Sequence, residues 1–265
     1  MLSNDNHFSQ LNPNNIRKKN ILILPEYTEN LEIFKSSFRE LETSFNLIYL
    51  DWSDLYSLKE DLKFQNLFEY VGQKMDELNL DYSETIFIGF GIGATILQYF
   101  AQSKKPLGEI LVSPIYSTTF VNPFTSNIPS YKDDLASYYI RLKKEYFNFH
   151  NFFIDKNDEN FLNKYKYYYE NKDFFDTVIA QISLYESLKE IREFENSYVK
   201  NTAIFFGVYD EVSEFKDFVN SKKFKRLNGE VPVLLFNQSS HHLQEEENNN
   251  FINKVIYYAN KWIDF

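Results

Sequence analysis

Thr85-Ile86-Phe87-Ile88-Gly89-Phe90-Gly91-Ile92-Gly93-Ala94 is the segment from which the rest of the chain can be ordered. An apolar strand runs into three alternating glycines, and Ala94 to Ser103 continues in a helix-like pattern. The 265-residue chain has only 7 glycines, and three of them fall within these five positions. In a sequence this short of glycine, such clustering reports a steric demand. The turn from strand to helix is so sharp that a flanking side chain would collide with the neighbouring strand or helix.

Working outward, Ile21-Leu22-Ile23-Leu24-Pro25 is a continuous apolar run ended by proline, which suits a buried parallel strand. Leu31, Phe34 and Phe38 then fall at helical spacing. Leu47 to Leu50 is a second strand closing on Asp51, and Leu67, Phe68, Val71, Met75 and Leu78 mark one face of an amphipathic helix. Glu109 to Pro114 is the strand after the glycine turn. Strands alternating with helices at this spacing predict a parallel sheet with helices on both faces. From Ile115 to Lys200 the rhythm changes to aromatic helical patterns, such as Leu135, Tyr138, Leu142 and Tyr146. Ala203–Gly207 and Val231–Phe236 resume the strands, and Phe251, Val255, Ala259 and Trp262 lie on one side of a closing helix. The expected organisation is a flexible arm over 1–20, an α/β core over 21–114 and 201–265, and a helical cap insertion over 115–200.

Composition removes several classes of function. A net charge of −10 and a pI near 5.0 oppose binding to nucleic acid or an anionic membrane surface. With no cysteine, disulfides, thiol catalysis and cysteine-ligated zinc are excluded. No apolar run is long enough to span a bilayer, and residues 1–20 lack the apolar core of a signal peptide, so a cytoplasmic protein is expected. The aromatic stripes of the insertion are read as helix packing.

Strand, Gly-x-Gly-x-Gly, helix is the outline of a nucleophile elbow, whose usual form is Gly-x-Ser-x-Gly. Two further residues follow in the order expected of an α/β-hydrolase fold. Asp210 comes after the strand ending at Gly207, where the acid belongs, and His241 precedes the closing helix, where the base belongs. His241 fits that place better than His242 on spacing. Gly91 stands at the nucleophile position and brings no Oγ, so covalent acyl-enzyme chemistry is unavailable there and no residue is expected to be catalytic. The backbone N–H of Ile92, with one from the Glu26–Tyr27 loop, would form the oxyanion hole. A His–Asp dyad acting on water is the alternative, as a serine-independent hydrolase or lyase. Ser113, at the end of another strand, is read as a turn residue, and His7 and His150 carry no chemistry. Gly89-x-Gly91-x-x-Ala94 also fits a dinucleotide fingerprint, but no acid closes the next strand, so no cofactor is expected. No cluster has metal-ligand spacing.

Ile88-Gly89-Phe90-Gly91-Ile92-Gly93-Ala94 resembles the elbow of the N-myc downstream-regulated (NDR) proteins. Pro25 to Asn30 resembles that family's polar loop, Gly108 to Val112 one of its strands, and Asn160 to Leu188 its cap. The resemblance implies an α/β-hydrolase fold without enzymatic activity, serving signalling through protein partners. A separate expectation is a small-molecule ligand held without turnover in a pocket lined by the cap aromatics. The chain departs from the pattern in its short arm and in Pro25-Glu26, which stands where the family has a His-Asp pair.

Overall fold

The computed structural model describes residues 18–27, 31–52, 54–55, 63–115, 198–210, 213, 215–220 and 230–264. Almost all of the expected arm and of the expected cap insertion lie outside the described residues.

Six parallel strands form one sheet: β1 (Asn20–Leu24), β2 (Asn46–Tyr49), β3 (Thr85–Phe90), β4 (Gly108–Val112), β5 (Thr202–Gly207) and β6 (Val233–Phe236), in the order β2-β1-β3-β4-β5-β6. The helices are α1 (Leu31–Ser36), α2 (Phe64–Glu77), α3 (Ile92–Lys104), α4 (Phe215–Asn220), α5 (Leu243–Glu246) and α6 (Asn248–Ile263). Successive strand residues point to opposite faces. Leu22, Leu24, Phe87, Leu111, Ile204 and Phe206 accordingly pack with α2, α3 and α4 on one side. Ile21, Ile23, Ile86, Ile88, Ile110, Val112 and Phe205 pack with Phe34 and Phe38 and with α6 on the other. Both faces are covered, which is why the central strands read as continuous apolar runs.

Strand and helix ends differ from the sequence reading by one or two residues. The last strand begins at Val233, because Pro232 has no N–H to give a ladder, although its carbonyl still accepts from Ile204 N. The helix after β3 begins at Ile92, two residues before Ala94.

The chain leaves β1 to one side to form β2 and returns on its other side to form β3, so the order in which strands are added reverses between β1 and β3. A crevice opens at the carboxyl ends of the strands at such a point. The turn from β3 into α3 fits there only because Gly89 and Gly93 lack side chains. A Cβ on Gly89 would lie 2.7 Å from the Ala94 backbone nitrogen, and one on Gly93 2.6 Å from the Pro25 carbonyl oxygen. We expect Gly93→Ala to cost about 1–3 kcal/mol of stability, as overpacking against backbone does. The urea midpoint would fall with the slope unchanged, and an unaltered midpoint would contradict the packing argument.

Candidate functional site

Gly91 closes β3 and caps α3 at φ +52° and ψ −117°, in the half of backbone space that side-chain-bearing residues avoid. A Cβ built on Gly91 would fall almost on top of Glu26 Oε2. The space of the missing side chain is therefore filled by a carboxylate that arrives from the loop after β1. That loop is fixed in place. Trp52 Nε1 donates to the Pro25 carbonyl at 3.0 Å, and the Tyr27 ring lies against Trp52 with centroids 5.8 Å apart. Glu26 is 6 % exposed. Its Oε2 accepts from the backbone N–H of Ile92 at 3.3 Å. This N–H is one of the first-turn donors of α3 that have no partner within the helix.

Asp210 and His241 reach the same place from the far strands. Asp210 follows β5, and its Oδ1 accepts from Ser213 N–H at 2.8 Å. Ser213 Oγ donates to the Pro114 carbonyl at 2.9 Å, which ties the acid's loop to the end of β4. His241 sits between β6 and α5 on a loop held from behind by two carboxylates. Glu246 Oε2 accepts from the N–H and Oγ of Ser240 at 2.6 and 2.9 Å, and Glu247 Oε1 accepts from Gln238 N–H and Ser239 Oγ at 2.7 and 3.0 Å. His241 Nδ1 lies 3.0 Å from Asp210 Oδ2 and 3.1 Å from Oδ1. Its Nε2 faces Glu26 Oε2 at 3.6 Å.

The result is a buried row, Asp210–His241–Glu26, with an imidazole between two carboxylates. Burial pushes the Asp210 pKa up, but His241, the Ser213 N–H and a weaker polar contact from Ser113 outweigh it and hold the group below its ordinary value. Burial likewise opposes charging His241. The Asp210 carboxylate first, and Glu26 after it, overcome that effect and push the imidazole up to about 10. Both neighbouring carboxylates thus favour the protonated ring, in which both nitrogens are donors.

The structure brings together Gly91, Ile92, Glu26, Asp210 and His241. Tyr27 belongs to the same loop, but its side chain turns into the core. His242 is buried beside the row, with its ring centroid 5.6 Å from that of His241. Ser113 follows β4 at φ +45° and lines the site. Sequence reasoning assigned Glu26 only a backbone role. It missed the carboxylate itself and the supporting residues Ser213, Glu246 and Glu247. The acidic run after His241-His242 was the one signal for the last two. Phe34, Phe90 and Val112 wall the remaining space, whose room is about that of one water molecule. Among the described residues no group of His, Asp and Glu is placed to hold a metal ion, and no helix is long and apolar enough to cross a membrane.

The sheet has the α/β-hydrolase fold, and solved structures of that fold agree. The chain is similar to a hydrolase from Oleispira antarctica, with a TM-score of 0.64 and 16% identity over 92% of this chain and 91% of that one. It is similar to a hydrolase from Pseudomonas aeruginosa, with a TM-score of 0.63 and 10% identity over 92% and 90%. A meta-cleavage product hydrolase from Pseudomonas fluorescens gives a TM-score of 0.63 and 13% identity over 92% and 91%. The sequence matches no family model and no curated protein.

The charge row makes stability depend on pH in a definite direction. The folded pKa of His241 is raised from 6.5 to about 10, so its contribution is present in full below about pH 6.5 and is lost as pH rises toward 10. Urea midpoints should therefore fall across that interval, and His241→Gln should flatten the fall. An equal slope in both proteins would contradict the assignment.

Proposed function

We propose that this chain is a pseudoenzyme of the α/β-hydrolase fold, which acts by binding, as a cytoplasmic interaction or signalling protein. One observation carries this reading: Glu26 Oε2 fills the space in which a side chain at residue 91 would stand. Acyl transfer through the elbow needs a nucleophile, a neutral base and free oxyanion donors. Gly91 supplies no nucleophile. The Ile92 N–H that would meet a developing oxyanion already meets a carboxylate. The carboxylates on either side of His241 favour its protonated form, which has no site to accept a proton. The NDR-like elbow, Gly89-Phe90-Gly91-Ile92-Gly93-Ala94, supports the same reading and with it a role through protein partners. A small molecule held without turnover is a further form of the binding role.

The second reading is a serine-independent hydrolase or lyase in which Asp210 and His241 activate water. The 3.0 Å contact between the two favours it. Against it stand the charge on His241 and the Glu26 carboxylate in the place that the water and substrate would need.

Hydrolysis of p-nitrophenyl acetate at neutral pH separates the two. The wild type and His241→Ala should be equally flat. Turnover by the wild type that the variant loses would overturn the pseudoenzyme reading. Gly91→Ser combined with Glu26→Ala restores a hydroxyl, frees the Ile92 N–H and removes one of the two carboxylates that hold the proton on His241. That double variant should gain ester turnover of about 10²-fold or more over the wild type, in a manner dependent on His241.

A further inference from the structure

We propose that the space at Gly91 is a carboxylate-binding site that the chain fills with its own Glu26. A small free monocarboxylate takes the same place when that side chain is withdrawn. The inference rests on the binding role above and names its ligand class.

The site offers what one carboxylate needs. The Ile92 N–H opens α3, a 13-residue helix whose amino end carries partial positive charge. The His241 imidazolium faces the same point from the other side, its Nε2 3.6 Å from the bound oxygen. Asp210 already compensates much of the imidazolium charge. A single added negative charge therefore fits this row better than a dianion does.

Glu26 uses this site incompletely. Its Oε2 has the Ile92 N–H and His241, while its Oε1 is buried with no hydrogen-bond partner. The tether to β1 fixes the plane of the carboxylate and so leaves that oxygen unmet. Gln244, 2 % exposed, lines the same cavity, and its amide oxygen is also buried without a partner. An untethered carboxylate can turn in the site, and the Gln244 amide on the same cavity wall carries an NH₂ able to donate to a carboxylate oxygen. Phe34, Phe90 and Val112 supply an apolar wall for a short alkyl tail. Withdrawal of the Glu26 side chain provides the volume. The ligand class is thus a short monocarboxylic acid anion, of which acetate is the probe.

The test uses the full chain with Glu26→Ala, and with Glu26→Ser as a second variant that keeps a small polar group. Thermal melts are run in sodium acetate, sodium chloride and sodium phosphate at matched ionic strength. Acetate should raise the melting temperature of both variants in a concentration-dependent way, above chloride and phosphate, by linkage to the folded state. In the wild type Glu26 competes for the site, so its acetate response should be far smaller. Adding Gln244→Met to Glu26→Ala should weaken the acetate response. The proposal is overturned if acetate does no more than chloride for either variant, including the case in which both stay unfolded in every salt. It is also overturned if acetate stabilises the wild type equally, which would place binding elsewhere. The ester assay on the wild type is independent of these melts, so failure of the pseudoenzyme reading and failure of the carboxylate site are told apart.

Discussion

Two carboxylates are buried side by side at the mouth of this sheet, and the His241 imidazolium between them makes that possible. A buried charge stripped of its partner costs several kcal/mol, so the three groups stand or fall together. They also come from three separate places: the loop after β1, the loop after β5 and the loop after β6. The row thereby joins both halves of the core across the crevice, and the amino end of α3 joins through Ile92. All of this depends on the absence of a side chain at Gly91. Any L-residue there would both strain the backbone at φ +52° and expel Glu26.

The surroundings hold this row still by polar contacts to backbone. Trp52 fixes Pro25, Ser213 fixes Pro114, and Glu246 and Glu247 hold the backbone that carries His241. These are the restraints a catalytic triad would require. Here the imidazole lies between two carboxylates, and the N–H of Ile92 already meets Glu26 Oε2. A fold built to stabilise negative charge for an instant during reaction can equally store it.

The architecture was legible because both sheet faces are covered. Ile21–Leu24, Ile86–Ile88 and Ala203–Phe206 are apolar without alternation, and such runs between helical stretches leave few arrangements other than a parallel sheet. The three glycines of the elbow were legible for a different reason, since close approach to Ala94 and Pro25 leaves no atom of freedom. Asp210 and His241 were found from strand order. The Glu26 carboxylate was not, because nothing in a local pattern states which side chain crosses 66 positions of sequence to fill a void. The sequence recorded the void as Gly91 and the filler as an unremarked acid after proline. The boundary of β6 was misplaced because Pro232 is apolar, and hydropathy does not register a missing N–H.

The most direct measurement is a nitrogen-15 NMR titration of the His241 ring in the wild type and in Glu26→Gln. Wild-type His241 should stay protonated through neutral pH and lose its proton only near 10, and its titration point should fall once the Glu26 charge is gone. A wild-type His241 that titrates near its ordinary 6.5, unmoved by Glu26→Gln, would contradict it and would return a working base to the site.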